Sequence, residues 1–176
     1  VAAQDRFVKT DGDLRKLLLP KPRGAKDAKW LQGVGGWMSM PEYAGYFEDP
    51  EEAFWELIGD EFRRAAVTGW QVGDRHIVEI RLIQFRQEEE AGASSRAENA
   101  QYWARKESGT RGWPIRGTGT GWAYVHSRPD RGDGMPYGAE AFAWRGDILV
   151  ELWISSVKPV PKAMIMDFAQ RQMERL

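Results

Sequence analysis

Tyr137-Gly-Ala-Glu-Ala-Phe-Ala-Trp-Arg-Gly-Asp-Ile-Leu-Val-Glu-Leu-Trp-Ile-Ser-Ser156 decides the fold. Two runs rich in aromatic and aliphatic residues flank a Gly-containing break at Arg145-Gly146, which predicts a β-hairpin with strands over 137–144 and 147–156. Side chains alternate between faces along each strand. Pairing Trp144 with Asp147 sets Ala143, Ala141 and Ala139 against Ile148, Val150 and Leu152, small residues opposite large ones, with Ile154 extending the stripe. That face is dry and requires a helix over it. The other face carries Trp144, Phe142, Glu140, Leu149, Glu151 and Trp153. It is too apolar for a wetted surface and too charged for a core, so it is where binding is expected.

The same register places Glu140 directly opposite Glu151, where like charges destabilise a sheet. At about 5 Å and an effective dielectric of about 20, the repulsion is about 3 kcal/mol, or about two pKa units. A cation must relieve it. Arg81, beside Glu79 on an earlier strand, would give a supporting ion network; a carboxylate pair serving a cationic ligand or acid/base chemistry is the functional alternative. A further strand, Trp122-Ala-Tyr-Val-His126, sends Trp122, Tyr124 and His126 to one face. Buried, these aromatics are core; exposed with Trp144 and Trp153, they form a stacking platform for sugars, aromatics or a protein. The candidate ligand-binding set is therefore Tyr124, His126, Glu140, Phe142, Trp144, Glu151 and Trp153.

Outward from the hairpin, Pro159 and Pro161 open a final helix whose Met164, Ile165, Phe168, Ala169, Met173 and Leu176 make one face, suited to the dry side. Upstream, Asp49-Pro-Glu-Glu52 combines an N-cap, a Pro at N1 and acids in the first turn. A core helix through Phe54, Leu57, Ile58, Phe62 and Ala65 follows. Strands over 66–72 and 75–85 join at Gly73-Asp74, with a bulge near Leu82-Ile83 to account for a shift in alternation. Glu88–Lys106 reads as a surface helix interrupted near Gly92, with Ser95–Glu98 as a capping box and a stripe of Ala97, Ala100, Tyr102, Trp103 and Ala104. Ser39-Met-Pro-Glu42 caps another short helix, and Leu14, Leu17 and Leu18 form one ended by Pro20. Residues 1–12 form a flexible arm, and 13–176 one domain. Thr68-Gly-Trp70 and Val78-Glu-Ile80 are echoed by Thr120-Gly-Trp122 and Val150-Glu-Leu152, suggesting a weak duplication of 50–107 in 116–176.

The chain's 176 residues fit one domain, and its formal charge of −1 gives no electrostatic footprint for nucleic acid or an anionic membrane. With no cysteine, disulfides and thiolate chemistry are excluded. No apolar run reaches the ~18 residues that span a bilayer. The start Val1-Ala-Ala-Gln4 permits export with a signal or anchor outside this chain. His76 and His126 lack metal-ligand spacing even with Asp130 and Asp133 nearby, so no metal or cofactor is expected. Gly117-Thr-Gly-Thr-Gly121 leads into a strand rather than from strand to helix, against phosphate binding. Arg131-Gly-Asp133 and Arg145-Gly-Asp147 are turn chemistry.

The Asp49-Pro-Glu-Glu helix, the strand-helix unit to Trp103 and the 137–156 hairpin with its closing helix resemble exported or lipid-anchored proteins of actinobacteria. Their layout is similar to the PsbP-like α/β/α sandwich of mycobacterial extracellular kinase sensor domains, although this chain lacks the cysteines those sensors use. The resemblance implies an α+β domain with an antiparallel sheet of five to six strands flanked by helices, a cystatin- or NTF2-like cone being the alternative. It also implies an exported, non-enzymatic domain binding a small ligand or a protein, a cytoplasmic location staying open. The rival readings are an acid/base enzyme working through Glu140 and Glu151, and a structural protein with no small-molecule site.

Overall fold

The computed structural model describes residues 12–28, 30–86, 92–129 and 134–176. It is an α+β domain built on an antiparallel sheet: β1 (Lys26–Asp27), β2 (Trp37–Met38), β3 (Phe62–Val72), β4 (His76–Phe85), β5 (Thr110–Pro114), β6 (Trp122–His126), β7 (Tyr137–Arg145) and β8 (Ile148–Ser156). Four helices join them: α1 (Met40–Ala44), α2 (Pro50–Gly59), α3 (Ala93–Lys106) and α4 (Lys162–Met173). The spatial order is β1-β3-β4-β8-β7-β6-β5, with β2 also on β3. The strands beyond the expected five or six are short edge pieces, β1 and β2, and β5. Two-residue pairs carry no alternation to read, and β5 ends in Pro114, which only an edge strand tolerates.

The hairpin forms, two residues out of the expected register. Arg145 pairs with Ile148 and Trp144 with Leu149, so the corner is Gly146-Asp147 rather than Arg145-Gly146. Gly146 takes φ +56° at the first corner position, a conformation costly for Arg. Arg145 is instead buried, donating from Nη1 to Met173 O at 2.7 Å, while Asp147 Oδ2 accepts from Gln84 Nε2 at 3.1 Å. A shift of two preserves both faces. Ala139, Ala141 and Ala143 now oppose Ile154, Leu152 and Val150, and α4 covers them with Ile165, Ala169 and Met173.

The other side of the sheet is covered by α1, α2 and α3. Asp49 caps α2 by accepting from Glu52 N at 3.0 Å, and Ser39 with Glu42 forms the expected capping box of α1. The α2 helix stops at Gly59, so Phe62 and Ala65 belong to β3, and Ile58 faces solvent. The expected bulge in β4 is absent. Residues 80–85 are buried on both faces because β4 is central and covered on both sides, which removes the alternation without a shift; the irregularity lies in β3, between Phe62 and Arg64. In α3 the N-cap is Gly92, and Ser95 lies inside the helix rather than capping it. Its buried stripe is Ala93, Ala97, Gln101 and Ala104, while Tyr102 and Trp103 face outward. Residues 1–11 of the expected arm over 1–12, residues 88–91 of the expected helix and residues 130–133 lie outside the described residues. The sequence echo falls on β3 and β4 and on β6 and β8; β3 and β4 are neighbours, whereas β7 lies between β6 and β8.

Candidate functional site

Antiparallel pairing lines residues up across the sheet in rows. One row runs Val67, Arg81, Glu151, Phe142, Trp122; the next, one pleat further from the hairpin corner, runs Gly69, Glu79, Trp153, Glu140, Tyr124. The nine side chains lie on the side of the sheet that α1, α2 and α3 cover, position 69 being glycine. The first row is dry at its centre: Arg81, Glu151 and Phe142 are buried. In the second, Glu79, Trp153 and Glu140 keep partial access to solvent. A boundary between covered and open sheet therefore runs between two adjacent rows.

Glu140 and Glu151 accordingly do not face each other. Glu140 pairs with Trp153 and Glu151 with Phe142, so the carboxylates are diagonal neighbours and the direct repulsion expected of the other register does not arise. Each has its own partner. Glu151 Oε1 accepts from the Tyr43 hydroxyl at 2.8 Å beneath α1. Burial raises its carboxyl above the ordinary range, against the pull of Arg81 and of the Tyr43 hydrogen bond. Burial, reinforced by Glu151, holds the Tyr43 hydroxyl well above its usual value.

Arg81 bonds Glu79 at 2.6 Å and lies between two rings, 3.6 Å from the centroid of Tyr46 and 4.3 Å from that of Trp153. A guanidinium clasped this way is fixed in place, and it holds Trp153 at the edge of the open row. Tyr46 gave no periodic signal; it lies in the turn after α1 and reaches Arg81 only through the fold.

At the far side of the open row, His126 Nε2 lies 3.3 Å from Glu140 Oε2, and Nδ1 lies 2.6 Å from the Thr110 hydroxyl and 3.4 Å from Glu107 Oε2. Burial lowers the imidazole pKa, but Glu140 and Glu107 outweigh it and the net shift is upward. Tyr124 is buried, its ring seated over Gly112, where an added Cβ would meet the ring at 2.7 Å. Burial pushes its hydroxyl up to about 12, with Glu140 adding to the shift and Arg105 opposing it, and the hydroxyl has no hydrogen-bond partner among the described residues.

Of the seven residues singled out from sequence, Tyr124, His126, Glu140 and Trp153 share this neighbourhood. Phe142 and Glu151 lie in the dry row, and half-buried Trp144 packs against the core cluster that α1, α2 and α3 share with the sheet. Gln101, which carried no signal, joins α3 to the sheet by donating from Nε2 to Phe142 O and Thr120 O at 2.9 and 2.8 Å. Among the described residues no cluster of three or more His, Asp or Glu has the arrangement to hold a metal ion, and no helix is long and apolar enough to cross a membrane.

No family model matches the chain, and no curated protein matches it. Among solved structures, it is similar to the extracellular domain of PknH from Mycobacterium tuberculosis, with 11% identity, a TM-score of 0.47 and 69% of each chain covered. Nothing about ligand or activity follows from a likeness of that extent.

Proposed function

We propose that this domain is an exported, non-enzymatic binding module that takes a cationic or aromatic group, from a small ligand or a partner protein, on the open row of its sheet. The observation that carries this reading is the boundary between rows: Glu140, Trp153 and Glu79 stay partly accessible beside buried Phe142, Glu151 and Arg81. The Trp153 ring, packed against the Arg81 guanidinium and paired across the strands with the Glu140 carboxylate, suits a cation with an apolar body. The exported location belongs to the same proposal and rests on the sequence resemblance; fractionation of cells producing the full-length gene product tests it.

Binding is tested by thermal unfolding with spermidine, choline and tryptamine, and with N-acetylglucosamine oligomers as neutral comparators. A ligand at a hundredfold excess over its Kd adds about 2.7 kcal/mol of stability. The expected result is stabilisation of the wild type by a cation and its loss in Glu140→Gln and Trp153→Ala. Stabilisation by none of the cations, or stabilisation indifferent to both substitutions, would overturn the reading.

A further inference from the structure

The near-zero formal charge hides a strong separation. From Trp30 to Phe62 there is no Lys or Arg and there are eight carboxylates, which leaves 18 Asp and Glu against 25 Lys and Arg in the rest of the chain. This acidic segment contains α1 and α2. On α2, Ala53 and Leu57 are buried, and the face half a turn away carries Glu51, Trp55 and Ile58. Trp55 is 63% exposed and Ile58 44%.

A counterpart lies on α3. Its buried stripe of Ala97, Gln101 and Ala104 leaves Tyr102, Trp103 and Lys106 on the outer side, and Arg105 and Lys106 make the last turn basic. Trp103 is also 63% exposed, and Lys106 Nζ sits 4.3 Å from the Tyr102 ring centroid. These two tryptophans are the most exposed aromatic residues described, one on an acidic helix face and the other beside the basic last turn of α3. The two helices lie on the same side of the sheet, and Arg96 of α3 bonds Asp60 at the end of α2 at 2.9 Å.

We infer that the outer faces of α2 and α3 are the two halves of a self-complementary surface, and that its occupant is a second copy of this chain. A twofold axis between the helices brings the acidic, Trp55-bearing face of each copy onto the basic, Trp103-bearing face of the other, so one contact is made twice. Each half supplies what the other lacks: carboxylates meet Arg105 and Lys106, and each exposed indole is removed from water. Aromatic anchors inside a polar rim are the composition expected of such an interface. The inference does not rest on the function proposed for the open row.

Sedimentation equilibrium of the full chain tests the inference at several salt concentrations. The expected result is a monomer–dimer equilibrium that weakens with salt. Trp55→Ser and Trp103→Ser should each weaken it at least tenfold; both positions are exposed, and circular dichroism checks that the variants fold. Glu51→Lys with Glu52→Lys should also disfavour the dimer, as should Arg105→Glu with Lys106→Glu. Mixing these two charge-reversed variants restores opposite charges at both contacts and should give a heterodimer, and the fourfold variant should restore homodimerisation. A monomer at every concentration, a dimer indifferent to both Trp substitutions, or a fourfold variant that fails to re-associate would each overturn the pairing.

Discussion

The Tyr43 hydroxyl donates to Glu151 Oε1 at 2.8 Å across 108 positions of sequence, and this buried bond ties α1 to the central strand β8. Tyr43→Phe removes the donor while keeping the ring and leaves a buried carboxylate short of a partner. The expected cost is about 1–3 kcal/mol, read from the urea midpoint. An unchanged midpoint would show that the bond adds nothing.

The pH dependence of Glu151 follows from its burial. Its folded pKa is raised, so the protonated carboxyl favours the folded state. That contribution is complete below the unfolded pKa of about 4.3 and is lost as pH rises through the folded value. Glu151→Gln stays neutral throughout. Its stability relative to wild type should therefore improve as pH rises across that window, and a constant difference between the two unfolding series would contradict the assignment.

His126 carries the same sign in a different window. Glu140 and Glu107 raise its pKa against the effect of burial, so its contribution is full below about pH 6.5 and is lost as pH rises through the folded value. In Glu140→Gln the imidazole titration followed by NMR should move to lower pH, and the loss of stability above about pH 6.5 should become shallower. A titration midpoint that does not move would show that Glu140 does not act on the ring.

Gly112 opposes Tyr124 across β5 and β6, and a Cβ there would meet the ring at 2.7 Å. Gly112→Ala should cost about 1–3 kcal/mol through the displaced ring. The cost should shrink when Tyr124 is itself cut to Ala, a coupling that a double-mutant cycle measures. Additive effects would mean that the ring moves aside freely.

Beneath α4, Ala141 is paired with Leu152 in a closely packed layer with Ala169 and Met173. Ala141→Leu preserves hydrophobicity and adds volume where no water-sized space is free. A loss of about 1–3 kcal/mol in thermal or urea unfolding is expected, and a neutral result would reveal slack under the helix.

The sequence by itself determined whatever is written in local periodicity and capping chemistry. Asp49-Pro50 starts α2, Ser39 and Glu42 close the capping box of α1, Trp122–His126 is a strand, and the small-against-large face of the hairpin lies under α4. Each depends on a few adjacent residues whose backbone preferences agree with their side-chain pattern. The bounds of α2 and the interior of β4 were less legible, because apolar residues continue past Gly59 into β3 and because burial on both faces erases alternation.

Only the tertiary structure decided the register and the division of the candidate face into a dry row and an open one. Moving the hairpin corner by one residue keeps every side chain on its face and changes only who stands opposite whom, so hydrophobic patterning cannot detect it. The positive φ of Gly146 and the burial of Arg145 against Met173 O fix that choice. Likewise Tyr43 on Glu151, Tyr46 on Arg81 and Glu140 on His126 join residues far apart in the chain. Whether a carboxylate is buried and paired or open to a ligand depends on which helix lies above it, and that is a property of the assembled layers.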